Sequence, residues 1–451
     1  MKIFTNSNDP NTSLGWAERI AYGLGNSGNA VVYGFVAAFL TFFYTNVMGL
    51  DAKIIGSIFL VSRLFDGVTD IIMGRIVDKT HSKTGKARCW LLRLCVPYAI
   101  CGVLLFTVPE SSATFQYIYV FISYNIVNAG LFTGVSVPYN SLTSLLTSNP
   151  YERGLLGIFP MLGSVVVGVI MNSTVLNMVE KFGGGRKGWI FASAIWACVG
   201  LASHLICYFG TRERALDGLT EEKDEVGLKE GLVSLCKNYY WVVFIGVMLL
   251  TWLLTGLVQT SAVYFANIVL EDSSLYAPLS NVQSITQLVF LVLAAGTIKK
   301  LGKVNTFRLG IVVEIIGFIV RMIASMNFTA LMVSGFLIGA GTGFTGAAFM
   351  GIFADIIDFG YWKTGVKVIG LGMASSSFVQ KIGYGLASAI WGGVLSIGGY
   401  DGTAVKQSAS ALLSIKVGFI YLPFLCAVVM LFLMVKFPLD KKMAEMRKEN
   451  V

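Results

Sequence analysis

The segment VSRLFDGVTDIIMGR places Arg63, Asp66 and Asp70 at i, i+3 and i+7 in otherwise apolar sequence, so all three share one face of a helix. A charge at the centre of a bilayer costs about 2.5–3.5 kcal/mol on insertion scales, so such residues must face a protein interior or a wet cavity. Two acids against one base leave the carboxylates, one helical turn apart, repelling each other. A captured proton or a bound cation relieves that repulsion, which is the chemistry of ion coupling. The plain structural alternative is a buried salt-bridge cluster that joins helices. Late in the chain, SSSFVQKIGYGLASAIW sets Lys381 among apolar and small residues. Its expected mate is the Asp66 and Asp70 pair, which would tie ion occupancy to closure of two halves of the protein. Glu314 and Arg321, seven residues apart, are expected to pair along one helix face in a structural role. Asp355 and Asp358, near Trp362 and Lys363 at a helix end, suit a gate or conformational lock.

Polar and aromatic residues that could hold a hydroxylated ligand recur inside the apolar runs. They are Asn26, Asn29, Tyr33, Tyr124, Asn125, Asn128, Thr133, Ser136, Tyr139, Asn140, Gln259, Thr260 and Gln380. Sugars are held by groups that satisfy hydroxyls and by aromatic faces that cover the ring. Each of these residues taken singly is more often a helix-packing residue, so the set carries the argument.

The elements that position these residues follow from composition. Of 451 residues, 55% are hydrophobic and 13% charged, too apolar for one aqueous core, so lipid is the solvent for most of the chain. Apolar runs at about 21–48, 53–77, 89–108, 114–147, 154–179, 188–209, 239–269, 275–298, 304–326, 328–358, 367–398 and 409–437 each suffice to cross a hydrocarbon core of about 30 Å. The expected fold is all-α, with twelve transmembrane helices in two pseudo-symmetric six-helix bundles. The tenth run is dense in glycine (Gly335, Gly339, Gly341, Gly343, Gly346), which predicts close helix packing.

Lys and Arg concentrate on one side of this layout, among them Lys79, Lys83, Lys86, Arg88, Lys223, Lys303, Arg308 and Lys367. The other side has Lys53, Lys181, Arg186, Lys187 and Lys406, so both termini are placed in the cytoplasm of a plasma (bacterial inner) membrane. The polar segment 211–238 reads as a cytoplasmic linker between bundles at 1–210 and 239–451. GRIVDKTHSKTGKAR (74–88) closing the second span has a counterpart in GTIKKLGKVNTFR (296–308) closing the eighth, the signature of an internal repeat.

Other function classes are excluded by residues. The net charge of +9 is a topological bias and does not call for nucleic acid. The seven cysteines, Cys95, Cys101, Cys198, Cys207 and Cys426 among them inside apolar runs, form no disulfide framework or CxxC pattern, and His81 and His204 have no second metal ligand at i+4. No phosphate-binding GxxxxGK[ST] is present, so no ATP is hydrolysed by the chain. The polar N-terminus has no basic-then-apolar signal pattern. The chain is expected to be no enzyme, to need no cofactor beyond a coupling H⁺ or Na⁺, and to act as a monomer.

Four segments together resemble the glycoside-pentoside-hexuronide:cation symporters, to which the melibiose permease belongs. They are RLFDGVTDIIMGRIVDKTHSKTGKAR, SVPYNSL followed by ERG (152–154), ADIIDFGYWKTGVK (354–367) and QKIGYG (380–385). The resemblance runs over nearly the whole chain and implies a major-facilitator fold with uptake of a glycoside or sugar acid coupled to H⁺, Na⁺ or Li⁺. It implies that Asp66 and Asp70 are the cation-site carboxylates, Thr133 a nearby cation-site hydroxyl, Arg63 their neighbouring arginine and Lys381 the linked lysine. Asn26, Asn29, Tyr33, Tyr124, Asn128, Ser136, Asn140, Gln380 and Lys381 are the expected substrate contacts. Departures from the melibiose type fall at Ala30 and Ser136, where those members have acids, at Asn140 for a tryptophan, and at Met161 for an arginine. Fewer acids beside Arg63 and Lys381 favour an anion, hence a glucuronide or hexuronide substrate. Thr69, where the sodium-using permease has Asn, tilts coupling toward protons. The alternatives are symport of a neutral oligosaccharide or galactoside, a lysolipid-type carrier, and a sensor that does not transport.

Overall fold

The computed structural model describes residues 9–449 apart from Lys83, 215–227, Lys367 and Val405. Lys83, Lys223 and Lys367, and most of the expected linker, therefore lie outside the described residues. The described chain is all-α, without strands. Its long helices are α1 (16–47), α2 (Ala52–Asp78), α3 (Arg88–Leu104), α4 (Ala113–Leu146), α5 (Pro150–Lys181) and α6 (Gly185–Gly210). They continue as α7 (Tyr239–Val269), α8 (Tyr276–Leu301), α9 (Lys303–Ile323), α10 (Phe328–Thr364), α11 (Ile369–Ile397) and α12 (Ala409–Val435). A short helix, Leu228–Lys237, precedes α7, and another, Leu439–Glu449, follows α12. Among the described residues, α4 to α8, α10 and α12 are long and apolar enough by length and composition to cross a membrane. In α2 the functional charges interrupt the apolar run.

Helix starts are marked by side chains that take up orphan N–H groups. Asp51 accepts from Ile54 at α2, Asn149 from Tyr151 and Glu152 at α5, and Asn238 from Tyr240 and Trp241 at α7. Long helices are locally widened by π turns, at 126–132 within α4 and at 417–421 within α12.

The chain forms two compact units. The first comprises Met1–Thr220 with Asp401–Lys406, and the second Glu221–Tyr400 with Gln407–Val451. The segment Asp401–Lys406, distant in sequence, belongs to the first unit, where Gly402 leaves room for the backbone of Thr45 and Asn46.

Each unit closes one end with a reciprocal clasp between its third and sixth helices. In the first, the carboxylate of Glu213, just after α6, accepts from the N–H groups of Lys86 (2.7 Å), Ala87 (3.0 Å) and Arg88 (2.9 Å) at the start of α3. Arg88 returns the contact by donating to the Tyr208 carbonyl in the last turn of α6, its guanidinium 4.8 Å from the Tyr208 ring centroid. In the second, Asp440, just after α12, accepts from the Val304 N–H at the start of α9 (3.0 Å). Arg308 of α9 donates to the carbonyls of Met434 (2.8 Å), Val435 (3.1 Å) and Phe437 (3.3 Å) at the end of α12. These exchanges fall in the two basic loops that pair as a repeat in the sequence, and they satisfy helix ends with charged partners. Two ion pairs reinforce the same end of the first unit: Glu18 with Arg214 (2.7 Å) and Arg19 with Glu152 (2.8 Å).

Glu213→Ala removes the acceptor for three N–H groups and is expected to lower stability by about 1–3 kcal/mol, read as a lower Tm in detergent. Burial raises the Asp440 carboxyl above the ordinary range despite the bond from Val304. The folded state thus holds that proton more tightly, and the contribution of this residue to stability falls as pH rises through the acid range toward neutrality. Asp440→Asn, which keeps an acceptor oxygen, should flatten that part of the Tm against pH curve.

Candidate functional site

The polar face of α2 carries Arg63, Asp66 and Asp70. Arg63 and Asp66 are 6% and 1% exposed and pair at 3.1 Å, Nη1 to Oδ2, one turn apart. The Arg63 guanidinium lies between two aromatic faces, 5.3 Å from the Tyr33 ring of α1 and 5.9 Å from the Tyr124 ring of α4. Tyr124 is stacked on Phe59 at 4.2 Å and Tyr33 on Phe132 at 5.0 Å, so both aromatic faces are themselves held in place. These contacts favour the cation where water is scarce.

One turn further, half-buried Asp70 accepts a hydrogen bond from the Thr133 hydroxyl at 2.9 Å. Thr133 follows directly on the π turn of α4, which shifts the register of the helix and sets which side chains meet α2. Asn125 Nδ2 donates to Ser62 Oγ at 2.9 Å and fixes the two helices against each other. Within this cluster one base, Arg63, stands beside two acids, Asp66 and Asp70.

The structure brings Arg63, Asp66, Asp70, Thr133, Tyr33 and Tyr124 into one neighbourhood, with buried Asn128 bonded to the Tyr124 carbonyl at 3.3 Å. Asn26 and Asn29 are turned to other partners. Asn26 donates to Ser164 (2.7 Å) and to the Pro160 carbonyl of α5 (3.3 Å), and Asn29 Oδ1 lies 3.0 Å from His204 Nε2 of α6. Both carboxamides are thus bonded across helix interfaces. Tyr139 likewise donates to the Tyr22 carbonyl at 2.8 Å. Ser136 is half-buried and Asn140 exposed on α4, while Gln380 and Lys381 are half-buried on α11 of the second unit.

Glu314 and Arg321 do not pair with each other, contrary to the sequence expectation. Thr345 donates to Glu314 Oε1 at 3.3 Å, and Arg321 Nε donates to Ser334 at 2.9 Å, both partners being on α10. The helix turn directs each side chain toward the close α9 and α10 crossing, where a hydroxyl is nearer than the other charge. Of the two expected gating acids, Asp355 pairs with Lys303 at 2.6 Å and Asp358 is exposed. Sequence reasoning missed Phe59 and Ser62 on α2, whose signal was a four-residue spacing from Arg63 and Asp66 respectively. It also missed the tie made by His204, whose signal was Gly28, where a Cβ would meet the imidazole at 2.6 Å.

Residues 21–441 match the family model described as MFS/sugar transport protein. The chain belongs to this family. Within it, the chain is 31% identical to the isoprimeverose transporter of Lactiplantibacillus pentosus, over 96% of this chain and 92% of that protein. It is 28% identical to the glucuronide carrier protein homolog of Escherichia coli K12, over 96% of this chain and 95% of that one. The fold is shared with the nucleoside transporter NupG, at a TM-score of 0.64 and 13% identity, covering 93% of this chain and 98% of that one. Members of the family are membrane transporters and not enzymes, and this chain is a multi-pass membrane protein of the glycoside–cation symporter group.

Arg63→Met leaves Asp66 buried without its ion-pair partner on α2 and is expected to cost about 3–5 kcal/mol. Asp66→Leu added to it should recover much of that loss, measured as Tm of the purified variants.

Proposed function

We propose that the chain is a cation-coupled symporter that takes up a glycoside or sugar acid by alternating access, with H⁺ as the favoured ion and Na⁺ the other. The observation that carries this reading is the α2 cluster, in which Arg63 neutralises Asp66 while Asp70, held by Thr133, provides the charge that a cation balances. Thr69 is spent on the Asp66 carbonyl at 3.1 Å and offers no amide oxygen to a metal ion, which favours the proton. Lys381 is the further coupling residue of this reading, as the resemblance to the symporters implies. Ordered, paired charges on α2 speak against a sensor that has lost transport. The termini lie in the cytoplasm of a plasma membrane.

For the substrate, a glucuronide or related hexuronide is the first reading. Ala30 and Ser136 remove acids that would repel an anion, and a glucuronide carrier homolog is among the relatives. A neutral glycoside is the second, favoured because Arg63 spends its charge on Asp66 and because another relative is an isoprimeverose transporter.

Uptake of labelled glucuronide and of a labelled neutral glycoside by membrane vesicles, with pH and Na⁺ gradients imposed separately, tests both levels. The expected result is glucuronide accumulation driven by the pH gradient, and movement of the neutral glycoside alone would reverse the substrate reading. Asp70→Asn should abolish gradient-driven accumulation, a loss of at least about 100-fold if the cation site supplies some 3 kcal/mol of coupling. Full accumulation by that variant would remove Asp70 from the coupling site.

A further inference from the structure

Glu314 is a buried carboxyl that the coupling scheme leaves unused. It lies midway along α9 and is 2% exposed. There α9 and α10 cross at glycines. A Cβ on Gly341 would meet the Glu314 Cγ at 2.5 Å, and one on Gly310 would meet the Gly341 carbonyl oxygen at 2.7 Å. The Thr345 hydroxyl of α10 lies 3.3 Å from Glu314 Oε1.

Among the described residues, no cation is bonded to this carboxyl. Arg321, two turns on along α9, donates to Ser334 and lies 4.3 Å from the Phe419 ring centroid. Asp355 on α10 is taken by Lys303, and Asp440 of the last helix holds the Val304 N–H. Lys299 and Lys300 sit in the last turn of α8, and Lys416 and Cys426 of α12 form no bond to Glu314.

An ionised carboxylate in this place would bear its full desolvation cost with one hydroxyl to offset it. One proton removes the charge and leaves Oε1 as the acceptor for Thr345. A metal cation of the hard, oxygen-seeking kind takes about six ligands. This tight crossing supplies a carboxyl and a hydroxyl, so the ligand it fits is H⁺. The same two groups occur in the first unit, where Thr133 bonds Asp70 at 2.9 Å. Thr133 is on the fourth long helix of the first unit and Thr345 on the fourth of the second.

We propose that Glu314 and Thr345 form a second proton-binding site, in the second unit and distinct from the Asp66 and Asp70 cluster. Its part in coupling rests on the symporter reading, whereas its occupancy by a proton does not.

Infrared spectroscopy of the full chain purified into lipid vesicles tests the occupancy directly. At neutral pH the wild type should show a protonated-carboxyl C=O band that Glu314→Gln abolishes, that Asp70→Asn retains, and that fades reversibly at alkaline pH. Thr345→Val should shift the band and Thr345→Ser should restore its position, which keeps the test decisive should Glu314→Gln fail to fold. Identical wild-type and Glu314→Gln spectra in that region, or a band insensitive to both Glu314→Gln and Thr345→Val, would overturn the site. In uptake assays Glu314→Gln should flatten the alkaline side of the pH profile, and an unchanged profile would overturn a role in coupling. A wild type that shows the band yet no ion-coupled uptake would defeat the symporter reading and leave the proton site standing.

Discussion

The ion pair of Arg63 with Asp66 is the contact on which the α2 cluster depends. Neither charge survives alone at bilayer depth, so they stand one turn apart on α2 and bond at 3.1 Å. The guanidinium then requires aromatic walls, which Tyr33 and Tyr124 supply, and those rings require Phe132 and Phe59 to hold them. Once Arg63 is committed, Asp70 is the second acid of the helix. It faces the Thr133 hydroxyl across an interface that the π turn of α4 sets in register. The proposed ion site is thus built from two acids and one base on a single helix.

The ends of the units obey the same economy of charge with backbone in place of side chains. Glu213 and Asp440 satisfy the first N–H groups of α3 and α9, and Arg88 and Arg308 satisfy the last carbonyls of α6 and α12. A carrier that works by moving bundles of helices needs each bundle to keep its shape while it moves. Clasps that join the third helix of a unit to its sixth serve that need, and their recurrence in both units is the structural content of the internal repeat.

Charge that costs several kcal/mol in lipid is rare in a span, so Arg63, Asp66 and Asp70 were legible in the sequence, as was their shared face. The twelve long helices of the described residues were legible for the same reason, from apolar length broken by basic loops. The fates of Asn26 and Asn29 were not, because a carboxamide bonds Ser164 or His204 with the chemistry it would offer a sugar hydroxyl. Nor was the separation of Glu314 from Arg321. Their partners, Thr345 and Ser334, are ordinary hydroxyls on another helix, and a seven-residue spacing says nothing about a nearer neighbour across a glycine-lined crossing. The placement of Asp401–Lys406 with the first unit depends on contacts hundreds of residues apart, which no local pattern encodes.

The central claim of the proposed function is that sugar and cation move together, with the acids of α2 taking the ion. Its most direct measurement is the cation movement that sugar alone provokes in de-energised vesicles, followed with an external pH electrode and a Na⁺ electrode. The account predicts that adding the transported glycoside makes the medium transiently alkaline as protons enter with it, and that Asp70→Asn abolishes the signal. Sugar entry at an undiminished rate with neither proton nor Na⁺ movement would contradict it.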